Sequence, residues 1–358
     1  MKNHIYVAAC DRNGGIYHYT QNPDGSLDFI DIYPLDRPTY LAISQGKMYV
    51  TLRAPWGDGS DSGVISLDIG EDGTLSNPSE VSSTEGLVAC HLCIDEENDA
   101  VFCANYVSGS VKKIGCKLSI HEGSGPNLPR QDKAHTHYVC LSPDKKYIFA
   151  VDLGIDSIIV YDKELNCQSV AKVPAGHGCR HLIFSPDGKT VFCANELASS
   201  LSAFSYENGK LTLIDTVSGL PEGFAGTTKA SAIRYHDGKI YMSHRGYDTI
   251  ACFSFDGQKL ILESNSWVGG EFPRDFDFID GYVYSTNELT NNVTVMKKKC
   301  GRLPFPASFY VRHCIRSPLR CGNQALIKKL RGGNASELFI IKHQSIAYRT
   351  PRLLRCME

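Results

Sequence analysis

The 358-residue chain has no apolar run of 18 residues, so nothing in it reads as a membrane-spanning helix. A charged start followed by a long apolar stretch, the mark of a secretory leader, is also missing: MKNHIYVAACDRNGG passes from a few polar residues straight into a strand-like run. A soluble protein is therefore expected. Charge of one sign is not in excess, with 37 Lys and Arg against 39 Asp and Glu. That balance hides an uneven distribution. Residues 301–358 carry 11 basic and 2 acidic side chains, while the preceding 300 carry 26 and 37. The basic end has few interleaved aromatics, so neither a nucleic-acid partner nor a membrane is expected. The 14 cysteines do not form a spaced framework. Many, such as Cys103, Cys140, Cys193 and Cys252, stand where a small apolar residue would serve, which points to free thiols in a reducing cytoplasm. Cys90-His91-x-Cys93 has no second Cys/His pair at finger-like spacing, so no metal and no cofactor is expected.

What the chain does have is a repeat. RHLIFSPDGKTVFCANELASSLSAFSYENGKL, from Arg180 to Leu211, holds three strand-sized apolar runs separated by turn residues, and a fourth run follows from Leu211 to Val217. Ser185-Pro186-Asp187-Gly188 and Asn208-Gly209 supply the fixed and positive φ angles that tight turns need. The unit is a four-stranded antiparallel meander. Its second-strand aromatic recurs at Tyr6, Tyr49, Phe102, Phe149, Phe192, Tyr241 and Tyr284, at intervals of 43, 53, 47, 43, 49 and 43 residues. Seven such units with no helical pattern between them predict an all-β fold, a seven-bladed β-propeller of four-stranded antiparallel blades over residues 1–303. Residues 304–358 lack the repeat. Within them SFYVRHCI, Ser308 to Ile315, alternates enough to add a closing strand to the first blade, and the remainder reads as a poorly ordered basic tail.

In such blades the start of the first strand and the end of the second lie on one face of the disc. Aligning the units places His137, Arg180 and Arg274 at first-strand starts, and Arg53, Asp152, Glu196, Arg245 and Glu288 near second-strand ends. One mouth of the channel should therefore gather a histidine, carboxylates and several arginines. Arginine's rigid fork grips phosphate or carboxylate, and a carboxylate beside a histidine can take a proton from water. The expected ligand is small, anionic and rich in oxygen. His135, two residues before His137, and His177, on the loop leading to Arg180, are further candidates to line the mouth.

Five segments resemble, in order and spacing, the seven-bladed propeller lactonase family: AHTHYVCLSPDKKYIFAVDLGIDSIIVYD, GCRHLIFSPDGKTVFCANELASSLSAFSY, LPEGFAG, SHRGYDTIACFSFDG and FPRDFDF. That family includes propeller-type 6-phosphogluconolactonases and a fungal carboxy-cis,cis-muconate cyclase. The resemblance covers roughly residues 3 to 303. It implies hydrolysis of 6-phospho-D-glucono-1,5-lactone, a step of the oxidative pentose phosphate pathway. It also implies His137, Glu196 and Arg180 as catalytic residues and Arg245 or Arg274 as a further working arginine; with Arg245 and Arg274 taken as substrate-binding, His135 and His177 join them on their positions in the sequence alone. In this scheme Glu196 or His137 draws the proton from water, Arg180 meets the developing oxyanion, and Arg245 and Arg274 hold the phosphate. Two alternatives stay open: a lactone-forming cyclase acting on a muconate-like dicarboxylate, and a non-catalytic propeller that binds proteins through its rim, against which the lack of recurring Trp-Asp pairs counts.

Overall fold

The computed structural model describes residues 3–297, 313–314 and 338–343, the last two stretches by their backbone pairing. Seven antiparallel sheets follow one another around a ring, most of them with four strands. Blade five illustrates the unit: Cys179–Phe184 innermost, then Thr190–Asn195, Ser200–Glu207 and the outer Lys210–Ser218. Blade two departs from it, because both Leu75–Ser76 and Ser82–Ser83 pair with its third strand, Gly63–Ile69.

The recurrent aromatic explains how the blades stack. Six of the seven are 0–2% exposed, and each sits in an apolar cluster shared with an adjacent blade. Tyr6 packs with Leu41 and Met48 of blade two, Phe102 with Val139 and Ile148 of blade four, and Tyr241 with Phe276 and Val283 of blade seven. Where the aromatic is tyrosine, its hydroxyl can also fasten the neighbour. Tyr6 Oη donates to the Gly73 carbonyl at 2.5 Å, and Tyr284 Oη donates to the Gly25 carbonyl at 2.8 Å. Both acceptors lie in Asp-Gly turns in which the aspartate accepts from the backbone NH two residues on. Gly73 needs to be glycine, since its φ is +82° and a Cβ there would stand 2.3 Å from His4 Nδ1.

The ring closes differently from the sequence expectation. The strand on the inner edge of the first blade is Leu338–His343, which pairs antiparallel with His4–Ala9 from His4↔His343 to Ala9↔Leu338. Of Ser308–Ile315 only His313–Cys314 is described, and it pairs with Asn292 and Val293 as the outer strand of blade seven. The chain thus completes its last blade before it returns to its first. The other residues of the basic segment lie outside the described part. Blades seven and one are joined by one more cluster, containing Tyr284, Val293, Ile5 and Val7.

Candidate active site

An irregularity shared by the inner strands builds the site. In blade four the register passes from Thr136↔Asp152 to Tyr138↔Val151, which leaves His137 as an extra residue on its strand. The same slip isolates Arg180 in blade five, Arg274 in blade seven and Cys90 in blade three. A bulge re-aims the residue it leaves unpaired. Here it frees one side chain in each of these four blades from the regular alternation of its strand. The second contribution comes from residues that end a second strand or follow it: Arg53, Tyr106, Glu196, Arg245 and Glu288.

These residues meet at a cavity of about 530 Å³ lined by Arg53, Cys90, Tyr106, Arg130, His137, Glu196, Lys229, Arg245, Phe272, Arg274 and Glu288, together with Val88 and Val107. Glu196, 2% exposed, is its centre. Its Oε2 lies 2.8 Å from Arg245 Nη2 and 3.1 Å from Arg180 Nε, and its Oε1 accepts from Arg130 Nη2 at 2.8 Å. Burial alone would raise the Glu196 carboxyl, but Arg245, Arg130 and Arg180 override it and hold the group well below the usual carboxylate range. Arg180 is 0% exposed, and burial together with the charges of Arg245 and Arg274 lowers its guanidinium to about 9. Arg245 lies over the Phe272 ring, 5.4 Å from its centroid, and also donates to the Ala230 carbonyl at 3.1 Å. Arg274 Nη1 stands 3.6 Å from Glu288 Oε2.

Beside this charge cluster His137 is buried, and its Nδ1 has no hydrogen-bond partner among the described residues. Burial first, then the charge of Arg180, pushes its pKa well below 6.5, so the ring is neutral near pH 7. Its edge contacts are to Tyr106 and His181, with ring centroids 5.5 and 5.2 Å apart. Beyond His181 a chain of tilted ring contacts runs through Tyr138 and His91 to Tyr40, and Arg234 pairs with Asp275 at 2.9 Å. The cavity lining holds five cations and two carboxylates, a net positive pocket with a proton-accepting carboxylate and a neutral imidazole inside it.

The structure brings some of the residues picked from the sequence together and sets others apart. His137, Glu196, Arg245 and Arg274 line the cavity, as do Arg53 and Glu288. Arg180 is part of the cluster but lies behind Glu196, outside the cavity lining. His135 does not line it either: its ring stacks on Tyr106 and faces Asp132 at 2.9 Å. His177 bonds Ser200 Oγ at 2.9 Å, also away from the cavity. Asp152 is structural, accepting from the backbone NH groups of His135 and Gly154 and from Thr136 Oγ1, with His121 Nδ1 2.7 Å away. By register it corresponds to Asn195, one residue before Glu196. Tyr106, Arg130, Lys229 and Phe272 were missed. Tyr106 was detectable, because it follows Asn105 as Glu196 follows Asn195 and Glu288 follows Asn287. Among the described residues no group of three or more His, Cys, Asp or Glu could hold a metal ion.

A family model described as "Lactonase, 7-bladed beta-propeller" matches residues 4–303, and the chain belongs to that family. A Lactococcus lactis subsp. cremoris (strain MG1363) protein, itself uncharacterized, is 33% identical over 286 residues, 74% of this chain and 82% of its own length. Among solved structures, a Lactobacillus plantarum protein superposes with a TM-score of 0.78 at 29% identity, covering 86% of this chain and 96% of that one. The Pseudomonas aeruginosa periplasmic gluconolactonase PpgL superposes with a TM-score of 0.77 at 25% identity, covering 85% and 94%.

Proposed function

We propose that the protein hydrolyses a sugar-phosphate lactone, 6-phospho-D-glucono-1,5-lactone, to 6-phosphogluconate. The observation that carries this reading is the buried carboxylate held among arginines at a cavity whose other cations outnumber its acids. A lactone needs three things from a site: an acceptor for the proton of the attacking water, a positive donor where charge develops on the carbonyl oxygen, and a grip on the rest of the molecule. Glu196 and the neutral His137 are the acceptors assigned to the water; the other carboxylate of the lining, Glu288, faces Arg274. Arg245, beside Glu196 and open to the cavity, meets the oxyanion. Arg180, sealed beneath the carboxylate, is a positioning residue that fixes Glu196 Oε2. Arg274, also in the lining, holds ring oxygens of the substrate. After attack, the ring C–O bond breaks and the leaving oxygen takes up the proton.

The place of action we propose is a reducing cytoplasm, on the ground that the cysteines of the sequence form no spaced framework. The test follows the loss of enzymatically generated 6-phosphogluconolactone near neutral pH against the uncatalysed rate, with unphosphorylated glucono-1,5-lactone and a muconate-type dicarboxylate in parallel. Acceleration of the phosphorylated lactone is the expected result. Turnover of the dicarboxylate alone would make the protein a cyclase, and turnover of none of the three would leave a binding propeller.

A further inference from the structure

We propose that Arg130 and Lys229 form the subsite for the substrate's phosphoryl group, and that Arg130 leaves Glu196 when that group binds, freeing Glu196 Oε1 to accept the proton. This inference rests on the lactonase reading and adds to it the residues that recognise the anionic tail.

The three guanidiniums around Glu196 are not equivalent. Arg180 and Arg245 belong to blade strands, are almost fully buried, and both hold Oε2. Arg130 comes from the connection between blades three and four, its side chain is 34% exposed, and among the described residues it is the sole partner of Oε1. Removing Arg130 therefore uncovers one whole carboxylate oxygen while the other stays anchored by two cations. The Arg130 backbone is held in place: the next residue, Gln131, is buried and donates to the Leu153 carbonyl and to Asp156 Oδ1, each at 2.8 Å. A fixed backbone carrying a partly exposed side chain suits a group that changes partner without moving its loop. Tyr106 Oη, which accepts from Arg130 Nη2 at 3.0 Å, supports the guanidinium beside Glu196.

Lys229 supplies the second observation. It starts the inner strand of blade six, lines the same cavity, and has no described side chain as an ion-pair partner. Burial and the nearby charge of Arg130 lower its pKa, so an incoming anion relieves both cations. Arg245 and Arg274, the residues the sequence pattern favours for phosphate, already face Glu196 and Glu288. A phosphate monoester offers three strong acceptors and about −1.5 to −2 charges, enough to draw the Arg130 fork from a carboxylate that already serves two other guanidiniums. While Arg130 stays in place, Glu196 is a poor base. The phosphoryl group would thus select the substrate and also switch on its hydrolysis.

The experiment uses the full chain and two probes. Calorimetric titration with inorganic phosphate needs no turnover; Arg130→Ala and Lys229→Ala should each weaken binding about tenfold or more, with Arg130→Lys in between. Phosphite added to glucono-1,5-lactone then supplies the anion separately from the lactone. In wild type it should raise kcat/KM about tenfold or more, and in Arg130→Ala it should not. With that lactone the acid limb of kcat/KM should lie about one pH unit higher in Arg130→Ala than in wild type, since a cation that holds the carboxylate ionised has gone. A merely structural role for Arg130 would lower all rates together and leave the phosphite response and the limb unchanged. Phosphate binding that survives both substitutions overturns the subsite, and phosphite that only inhibits a lactone-hydrolysing wild type overturns the release of Glu196. A folded wild type that binds phosphate through these residues but accelerates neither lactone sinks the lactonase reading and leaves the subsite standing.

Discussion

Glu196→Gln is the substitution that tests most of this structure at once. Gln has the same shape, so packing is retained, but its amide NH₂ would face guanidiniums that need an acceptor. Three cations now within 2.8–3.1 Å of the carboxylate would be left to repel one another, and Arg180 among them has no solvent exposure. Removing one partner of a buried ion pair costs about 3–5 kcal/mol. Urea unfolding at pH 7 should show a loss in that range. The pH dependence has a definite sign. The folded-state pKa of Glu196 lies below its ordinary 4.5, so its stabilising contribution is fully present above about pH 4.5 and is lost as pH falls through the folded value. The gap between wild type and Glu196→Gln should therefore narrow in acid. Turnover should fall by about 10²–10⁴, the range for losing a general base. A variant as stable as wild type at pH 7, with full lactone turnover, would refute both the electrostatic and the catalytic role of Glu196.

Four further outcomes are expected. Because His137 is held neutral far below pH 6.5, kcat/KM should show no limb between about pH 6 and 8 that disappears in His137→Gln; finding one would contradict its burial. Tyr284→Phe leaves Gln21 Nε2 and the Gly25 carbonyl without the hydroxyl that bridges them at 2.7 and 2.8 Å, and should cost about 1–3 kcal/mol in urea unfolding. Gly73→Ala, at positive φ and against His4, should destabilise by about 1–3 kcal/mol, and an unchanged midpoint would show that the turn can relax. In peptide-mapped thiol labelling of the native protein, exposed Cys116 and Cys167 should react. Cys103 and Cys140, whose pKa values burial raises, should stay protected until the protein unfolds.

The blade count was legible because the second-strand aromatic serves a packing need that repeats: each fills the space between adjacent blades, so its spacing tracks the architecture. The bulges were not legible, since a slip of one residue is defined only once a strand has its partner. That is why Cys90, the residue isolated in blade three, was weighed only within a Cys-His-x-Cys run and set aside. Asp152 is a different case: it stands three residues after Phe149 as Asn195 stands three after Phe192, so the spacing that separates it from the Glu196 position was present in the sequence and was overlooked. Arg130 escaped for another reason. It sits in a connection that has no counterpart in the other blades, so aligning repeats gave it no position. The ring closure failed on partner choice. Alternation marks SFYVRHCI as strand-like, but nothing local says which edge it meets, and the backbone pairing goes instead to Leu338–His343.

The pairing of Ala9 with Leu338 also has a consequence for how the protein is made. As the chain emerges from the ribosome, six blades can assemble from neighbouring segments, each with low loop-closure cost. The first blade cannot. Its inner edge stays exposed until Leu338–His343 has been made, an open row of donors and acceptors beside a half-built ring. Cotranslational folding should therefore accumulate a nearly complete horseshoe that is vulnerable to proteases and to pairing with other nascent chains, until Leu338–His343 arrives and the two ends lock.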